Sequence, residues 1–331
     1  MAQPADRVCA ICTEAVDAKT CVYHCRGECP DVCCQACFDR SLQRNGRCPL
    51  CRGVVIPGVV PASDDPAALA ANDVLPEGAK AQNAAPLAVP AHPAPPAGPP
   101  PILLTKRYDK PETIPAPPPG YVASYFWAAH GNYYGGNTKD IVCAYGNTPQ
   151  AGVPYNGAGG WNGGVWLMVA VPSHLQGLIQ VATGTYVAPL DIPVPEGFTE
   201  AECRFLWFSQ ENYYGDNTGD VVFGFGNTRQ ASLPYGGARG WKGGVWIVIA
   251  TKPGAPISVS TGTHSAPHTA PAPSGSLAGT VACVWGSQEN HYSASTGDVV
   301  PAYGDTQAVT MPYGGQRYWH GGAWMCMART Q

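Results

Sequence analysis

Trp241-Lys242-Gly243-Gly244-Val245-Trp246-Ile247-Val248-Ile249-Ala250 ends in a continuous apolar, β-branched run too short for an ordinary helix. It reads as a buried strand. Trp161-Asn162-Gly163-Gly164-Val165-Trp166 and Trp319-His320-Gly321-Gly322-Ala323-Trp324 repeat the pattern, about 80 residues apart. Working outward, each copy carries the same preceding signals in the same order. The first holds Asn132-Tyr133-Tyr134, Asp140-Ile141-Val142, Tyr145-Gly146-Asn147-Thr148 and Pro154-Tyr155. The second answers with Asn212-Tyr213-Tyr214, Asp220-Val221-Val222, Phe225-Gly226-Asn227-Thr228 and Pro234-Tyr235. The third has Asn290-His291-Tyr292, Asp298-Val299-Val300, Tyr303-Gly304-Asp305-Thr306 and Pro312-Tyr313. All nine Trp belong to this pattern, with Trp127, Trp207 and Trp285 opening the copies. Such self-similarity marks a repeat architecture, and short strands between Gly, Asn, Asp and Pro turns mark it as all-β.

The segments joining the copies repeat as well. Ile179–Tyr186 and Ile257–His264 each end 21 residues before the next opening Trp, and Ile102–Tyr108 precedes Trp127 by 19. The units are therefore placed at about 120–190, 198–268 and 277–331, within an all-β domain over 102–331. The third copy ends without a joining strand. This predicts that Ile102–Tyr108 pairs back onto the last unit and closes a pseudo-threefold assembly, removing its open edges. The repeated Trp, Tyr, Asn and Asp read first as core packing and turn capping. A carbohydrate or peptide pocket is the alternative, and nothing resembles a nucleophile–base constellation or a phosphate loop.

The whole chain has 331 residues, a formal charge of −4, 13% charged residues, 40 Gly and 34 Pro. Charge is about half the usual share for soluble domains. The slightly acidic balance, without a Lys/Arg block, argues against a nucleic-acid or anionic-membrane partner. No apolar run reaches the roughly 18 residues of a membrane span, and the first residues lack the apolar segment of a secretory signal. The expectation is an intracellular, cytoplasmic protein.

Ten of the 14 Cys lie between Cys9 and Cys51; Cys143, Cys203, Cys283 and Cys326 are scattered through the repeats. Cys-x2-Cys turns occur at Cys9/Cys12, Cys34/Cys37 and Cys48/Cys51, with a crowded stretch from Cys21 to Cys33. Each such turn can bring two thiolates to one Zn²⁺ at about 2.3 Å, so four pairs make two tetrahedral sites. A segment this short buries too little apolar surface to fold alone, and metal binding would supply much of its folding free energy.

The runs Cys-Ala-Ile-Cys (9–12), Cys-Gln-Ala-Cys-Phe-Asp-Arg-Ser-Leu (34–42) and Cys-Pro-Leu-Cys-Arg (48–52) together resemble a RING finger. The resemblance covers about one sixth of the chain. It implies a small ββα fold over 1–55 holding two zinc ions, with Cys9, Cys12, Cys34 and Cys37 at site one. Site two takes Cys48 and Cys51 with a second pair that departs from the commonest pattern, where a histidine precedes the third pair. Cys25 and Cys29 are chosen, as in an all-cysteine C4C4 variant, with Cys21, His24 and Cys33 as alternatives. By the same resemblance Ile11, Leu42 and Pro49 line a groove for a ubiquitin-charged E2 enzyme. Arg52 takes the linchpin position, holding the thioester between E2 and ubiquitin in an attack-ready pose.

Residues 56–101 are rich in Ala and Pro, an extended spacer without a packed core. The resulting expectation is a RING-type E3 ubiquitin ligase whose β-repeat domain selects a protein or glycan ligand. A non-catalytic zinc adaptor and an intracellular lectin are the rival readings.

Overall fold

A computed structural model of the chain describes residues 98–136, 138–293 and 295–330, and the backbone of two short strands, Cys21–Val22 and Cys33–Cys34. Chain contacts divide it into two units, Met1–Leu87 and Ala88–Gln331. In the first, the two short strands pair antiparallel, Cys21 opposite Cys34.

The second unit is all-β and built from three similar four-stranded sheets. The first sheet comprises β1 (Ile102–Tyr108), β2 (Tyr121–Asn132), β3 (Ile141–Gly146) and β4 (Gly163–Pro172). The second comprises β5 (Ile179–Tyr186), β6 (Cys203–Asn212), β7 (Val221–Gly226) and β8 (Lys242–Thr251). The third comprises β9 (Ile257–His264), β10 (Ala282–Asn290), β11 (Val299–Gly304) and β12 (Tyr318–Arg329). Each sheet runs first–fourth–second–third, antiparallel throughout. The joining segments are thus the first strands of the sheets that follow them. Ile102–Tyr108 pairs with Ala170 through Gly164 of its own sheet, which corrects the expected pairing with the last unit. The third copy lacks a trailing strand because its own first strand, β9, precedes it.

Every fourth strand lies between two others, and alternate residues face opposite cores. Val165, Leu167 and Val169 join Val245, Ile247, Ile249, Ala323, Met325 and Met327 in one core shared by all three sheets. Trp166, Met168 and Ala170 face outward into a core belonging to the first unit; Trp246, Val248 and Ala250 do so in the second. Burial on both faces is why these strands read as unbroken apolar runs. On the outer faces the opening Trp rings lie across glycines of the neighbouring strand. A Cβ at Gly146, Gly226 or Gly304 would be driven into Trp127, Trp207 or Trp285.

Closure comes from packing and side-chain hydrogen bonds rather than strand exchange. The third strand of each sheet rests on the fourth strand of the next: β3 on β8, β7 on β12, β11 on β4. Those third strands are edges, with backbone donors to satisfy. Gln210 Oε1 accepts from Cys143 N at 3.1 Å, and Gln288 Oε1 accepts from Phe223 N at 3.2 Å. The third junction differs on both sides. Pro301 stands where Cys143 and Phe223 stand, without an N–H, and His130 stands where the glutamines stand. His130 stacks on Tyr303 of the third unit at 5.8 Å instead. Arg107 N donates to Asp305 Oδ2 at 3.1 Å across the same junction.

Exact repetition stops at the centre. Ala128, Phe208 and Gly286 are equivalent positions; Phe208 fills the space between Phe126, Phe225 and Tyr303. A Cβ at Gly286 would lie 2.9 Å from Phe225 and 3.0 Å from Phe208. Cys283 and Cys326, directly opposite on β10 and β12, form a disulfide at the position of the Phe205–Val248 pair of the second sheet. Cys143 and Cys203 are buried thiols.

Two outcomes are expected. Gln288→Leu leaves Phe223 N–H buried and unpaired and should cost about 1–3 kcal/mol in denaturant unfolding. For His130, burial, with the Arg107 charge adding, lowers the imidazole from 6.5 to about 4. The unfolded chain takes up this proton in that window and the folded one does not, so stability falls as pH drops from 6.5 towards 4. His130→Gln should flatten that part of a melting-temperature profile; an unchanged slope would refute the assignment.

Candidate ligand-binding face

The face is assembled by two loops from each unit. The first leaves the second strand at a fully buried Asn (Asn132, Asn212, Asn290) and displays Tyr133-Tyr134, Tyr213-Tyr214 or His291-Tyr292. It then turns through a short 3-10 segment, Thr138–Asp140, Thr218–Asp220 or Thr296–Asp298, and the three segments meet at one end of the domain. Asn217 and Ser295 cap two of them, accepting from Gly219 N and Gly297 N. The second loop joins third to fourth strand and carries Tyr155, Tyr235 or Tyr313. Its backbone is tied to the first loop where Asn132 N donates to Trp161 O and Asn212 N to Trp241 O, both at 3.0 Å. Asn156 takes the left-handed conformation (φ 50°) that Gly236 and Gly314 hold in the other copies; Asn tolerates it better than most side chains.

Buried acids hold the second loop in two units. Glu211 accepts from Tyr235 N, and Glu289 accepts from Tyr313 N and, at 3.4 Å, from Arg317 N. The first unit has Gly131 there, and Asn162 supplies the anchor, donating to Gly157 O and Gly159 O at 3.0 Å. A Cβ at Gly131 would lie 2.9 Å from Asn162 Oδ1. Acid and amide are alternative fillings of one space.

The two loops bring their rings together: Tyr133 and Tyr155 centroids are 4.6 Å apart, Tyr213 and Tyr235 4.9 Å, His291 and Tyr313 4.4 Å. Arg239 lies over both rings of the second pair, 4.5 Å from Tyr213 and 5.6 Å from Tyr235. Arg317 lies 5.5 Å from Tyr313. Between the second and third units a cleft of about 560 Å³ is walled by Tyr213, Tyr214, Asp220 and Tyr235 on one side. Ser295, Thr296, Gly297 and Trp319 form the other. Burial raises the Asp220 carboxyl against a hydrogen bond from the Tyr214 backbone. Burial also pushes the Tyr235 phenol up to about 12, Tyr213 adding and Arg239 opposing. With exposed Tyr134 and Tyr214 at 77% and Tyr292 at 67%, this end offers ring faces, carboxylates and backbone groups: equipment for binding.

The repeated aromatics therefore divide. Trp127, Trp166, Trp207, Trp246, Trp285 and Trp324 are core, as the sequence suggests. Trp161 and Trp319 are surface rings, 40% and 44% exposed. The zinc ligands proposed at Cys9, Cys12, Cys25, Cys29, Cys37, Cys48 and Cys51 lie outside the described residues, as do His24, Ile11, Leu42, Pro49 and Arg52. Cys21, Cys33 and Cys34 are described only as backbone in the short strand pair. Among the described residues no cluster of three His, Cys, Asp or Glu could hold a metal ion, and no helix is long and apolar enough to cross a membrane. The arginine caps on the second-loop tyrosines Tyr235 and Tyr313 have one signal in the sequence, the recurrence of Arg239 and Arg317 five residues after Pro234 and Pro312.

If Arg239 covers Tyr213 as described, Arg239→Ala should cost about 0.5–1 kcal/mol in thermal unfolding. It should also make tyrosine emission more accessible to acrylamide; unchanged quenching would refute the contact. No family model matches this chain, and no curated protein matches it either, so the reading of this face rests on its own geometry.

Proposed function

We propose that the chain is a RING-type E3 ubiquitin ligase and that its all-β domain is the part that recognises the substrate or partner. The observation carrying the first half is the cysteine spacing between Cys9 and Cys51, continued by Arg52. Four thiolate pairs suit two tetrahedral zinc ions. Cys9, Cys12, Cys34 and Cys37 would hold one, and Cys48 and Cys51 with Cys25 and Cys29 the other. Zinc there supplies folding free energy and fixed geometry. Ile11, Leu42 and Pro49 would dock the E2, and the Arg52 guanidinium would hold E2 and ubiquitin together through charge-assisted hydrogen bonds. The contribution to transfer is orientation, worth several kcal/mol when reacting groups are held in an attack geometry. No nucleophile of the ligase is required. The second half is supported by the aromatic end face, which presents rings to solvent in all three units.

The test is reconstituted ubiquitination with the full-length zinc-loaded chain and a panel of E2 enzymes. Chain formation is expected, falling at least about tenfold in Ile11→Ala and Arg52→Ala, a loss of about 1.4 kcal/mol. Two zinc ions per chain should be found by elemental analysis. Fewer than two would overturn the RING reading. Two zinc ions without transfer by any E2 would overturn the ligase and favour a zinc-binding adaptor.

A further inference from the structure

We infer that the first unit's tyrosine pair, Tyr133 and Tyr155, is a receptor for an arginine side chain of a protein partner. This rests on the reading of the β domain as the recognition part.

The molecule contains the template for the complex. In the second unit a guanidinium covers the equivalent rings, Arg239 over Tyr213 and Tyr235, and in the third Arg317 covers Tyr313. Both arginines occupy the same position of the second loop. In the first unit that position is Gly159, where a Cβ would overlap the carbonyl oxygen of Asn132. No side chain fits there, so this loop cannot supply its own cap. The rings are nevertheless held as in the capped copy. Tyr133 and Tyr155 meet at 4.6 Å and 63°, Tyr213 and Tyr235 at 4.9 Å and 60°. Tyr133 is 50% exposed, whereas Tyr213, under its arginine, is only partly so.

The surroundings match a cation. Tyr134 packs edge-on against Tyr133 at 4.5 Å, and burial raises the Tyr155 phenol, with the charges of Tyr133 and then Asp140 adding. Tyr134 and Asp140 correspond to Tyr214 and Asp220 in the wall of the neighbouring cleft. A guanidinium stacks on aromatic faces, is weakly hydrated and stays charged at all physiological pH. A lysine ammonium, compact and strongly hydrated, is the poorer occupant. One exposed contact of this kind contributes about 0.5–1 kcal/mol, so the arginine would act within a longer contacting segment.

The test is an NMR titration of the full-length chain, its tyrosine rings carbon-13 labelled, with the capped tripeptide Gly-Arg-Gly. The citrulline and lysine counterparts serve as comparators. Concentration-dependent shifts of the Tyr133 and Tyr155 ring signals are expected, about threefold steeper than with the neutral citrulline peptide. Tyr133→Ala should abolish them, and Tyr133→Phe, which keeps the ring face, should retain them. Arg239→Gly uncaps the second unit, so the Tyr213 and Tyr235 signals should shift with the arginine peptide as well. A response no greater than that to citrulline, or an Arg239→Gly chain whose Tyr213 and Tyr235 signals stay still, would overturn the inference. Ubiquitin transfer is not read in this experiment, so either result leaves the ligase assay to stand or fall by itself.

Discussion

A sheet that is not closed on itself must do something with the backbone donors of its last strand, and the β domain depends on how it meets that constraint. The third strand of each sheet is an edge, and its amides point toward the next sheet. Satisfying them from across the junction turns an edge into an interface. Gln210 and Gln288 do so at two junctions by accepting from Cys143 N and Phe223 N. At the third the donor itself is removed by Pro301, the residue that edge strands tolerate and central strands do not. A buried donor left open costs more than the hydrogen bond contributes, so acceptor and donor must change together. His130 at the position of the glutamines is that paired change, with stacking on Tyr303 in place of a hydrogen bond.

Threefold repetition and a filled centre conflict. Three copies of one side chain on an axis either leave a void or collide, since interiors pack at crystal density. Phe208 occupies the space, and Ala128 and Gly286 concede it. The disulfide breaks the symmetry in another place, replacing an apolar cross-strand pair in one sheet only. The end face does so again, with arginines over two ring sets and glycine at the corresponding place in the third. Divergence at the centre follows from volume. Divergence at the rim is where the units acquire different surfaces.

Much of this was legible in the residues. The Trp-x-Gly-Gly-x-Trp blocks marked the strands buried on both faces because two-sided burial removes polar alternation. The phase of the repeat was not legible. A joining strand such as Ile179–Tyr186 follows one copy and precedes the next, and periodicity alone cannot decide which it pairs with. Pairing decides it, Gly184 lying opposite Trp246 in the sheet that follows, where a Cβ would meet the indole at 2.6 Å. The cysteine pair was hidden for a similar reason: 43 residues separate Cys283 from Cys326, and only strand register sets them opposite. On the end face the turn residues could be read, but tyrosines read first as core packing are exposed at Tyr133, Tyr134, Tyr214 and Tyr292. The arginine caps could not be read, because they depend on two loops meeting.

The strand order carries a consequence for how the chain assembles. The fourth strand is the only partner of the first in every sheet, so β1 stays unpaired until Gly163–Pro172 has been synthesised, and β5 and β9 wait likewise for β8 and β12. Folding along the chain must therefore advance in whole sheets, each completed when its central strand slides between two waiting neighbours. Nascent chains halted inside a sheet leave a first strand without its partner, an unpaired edge that chaperones must cover.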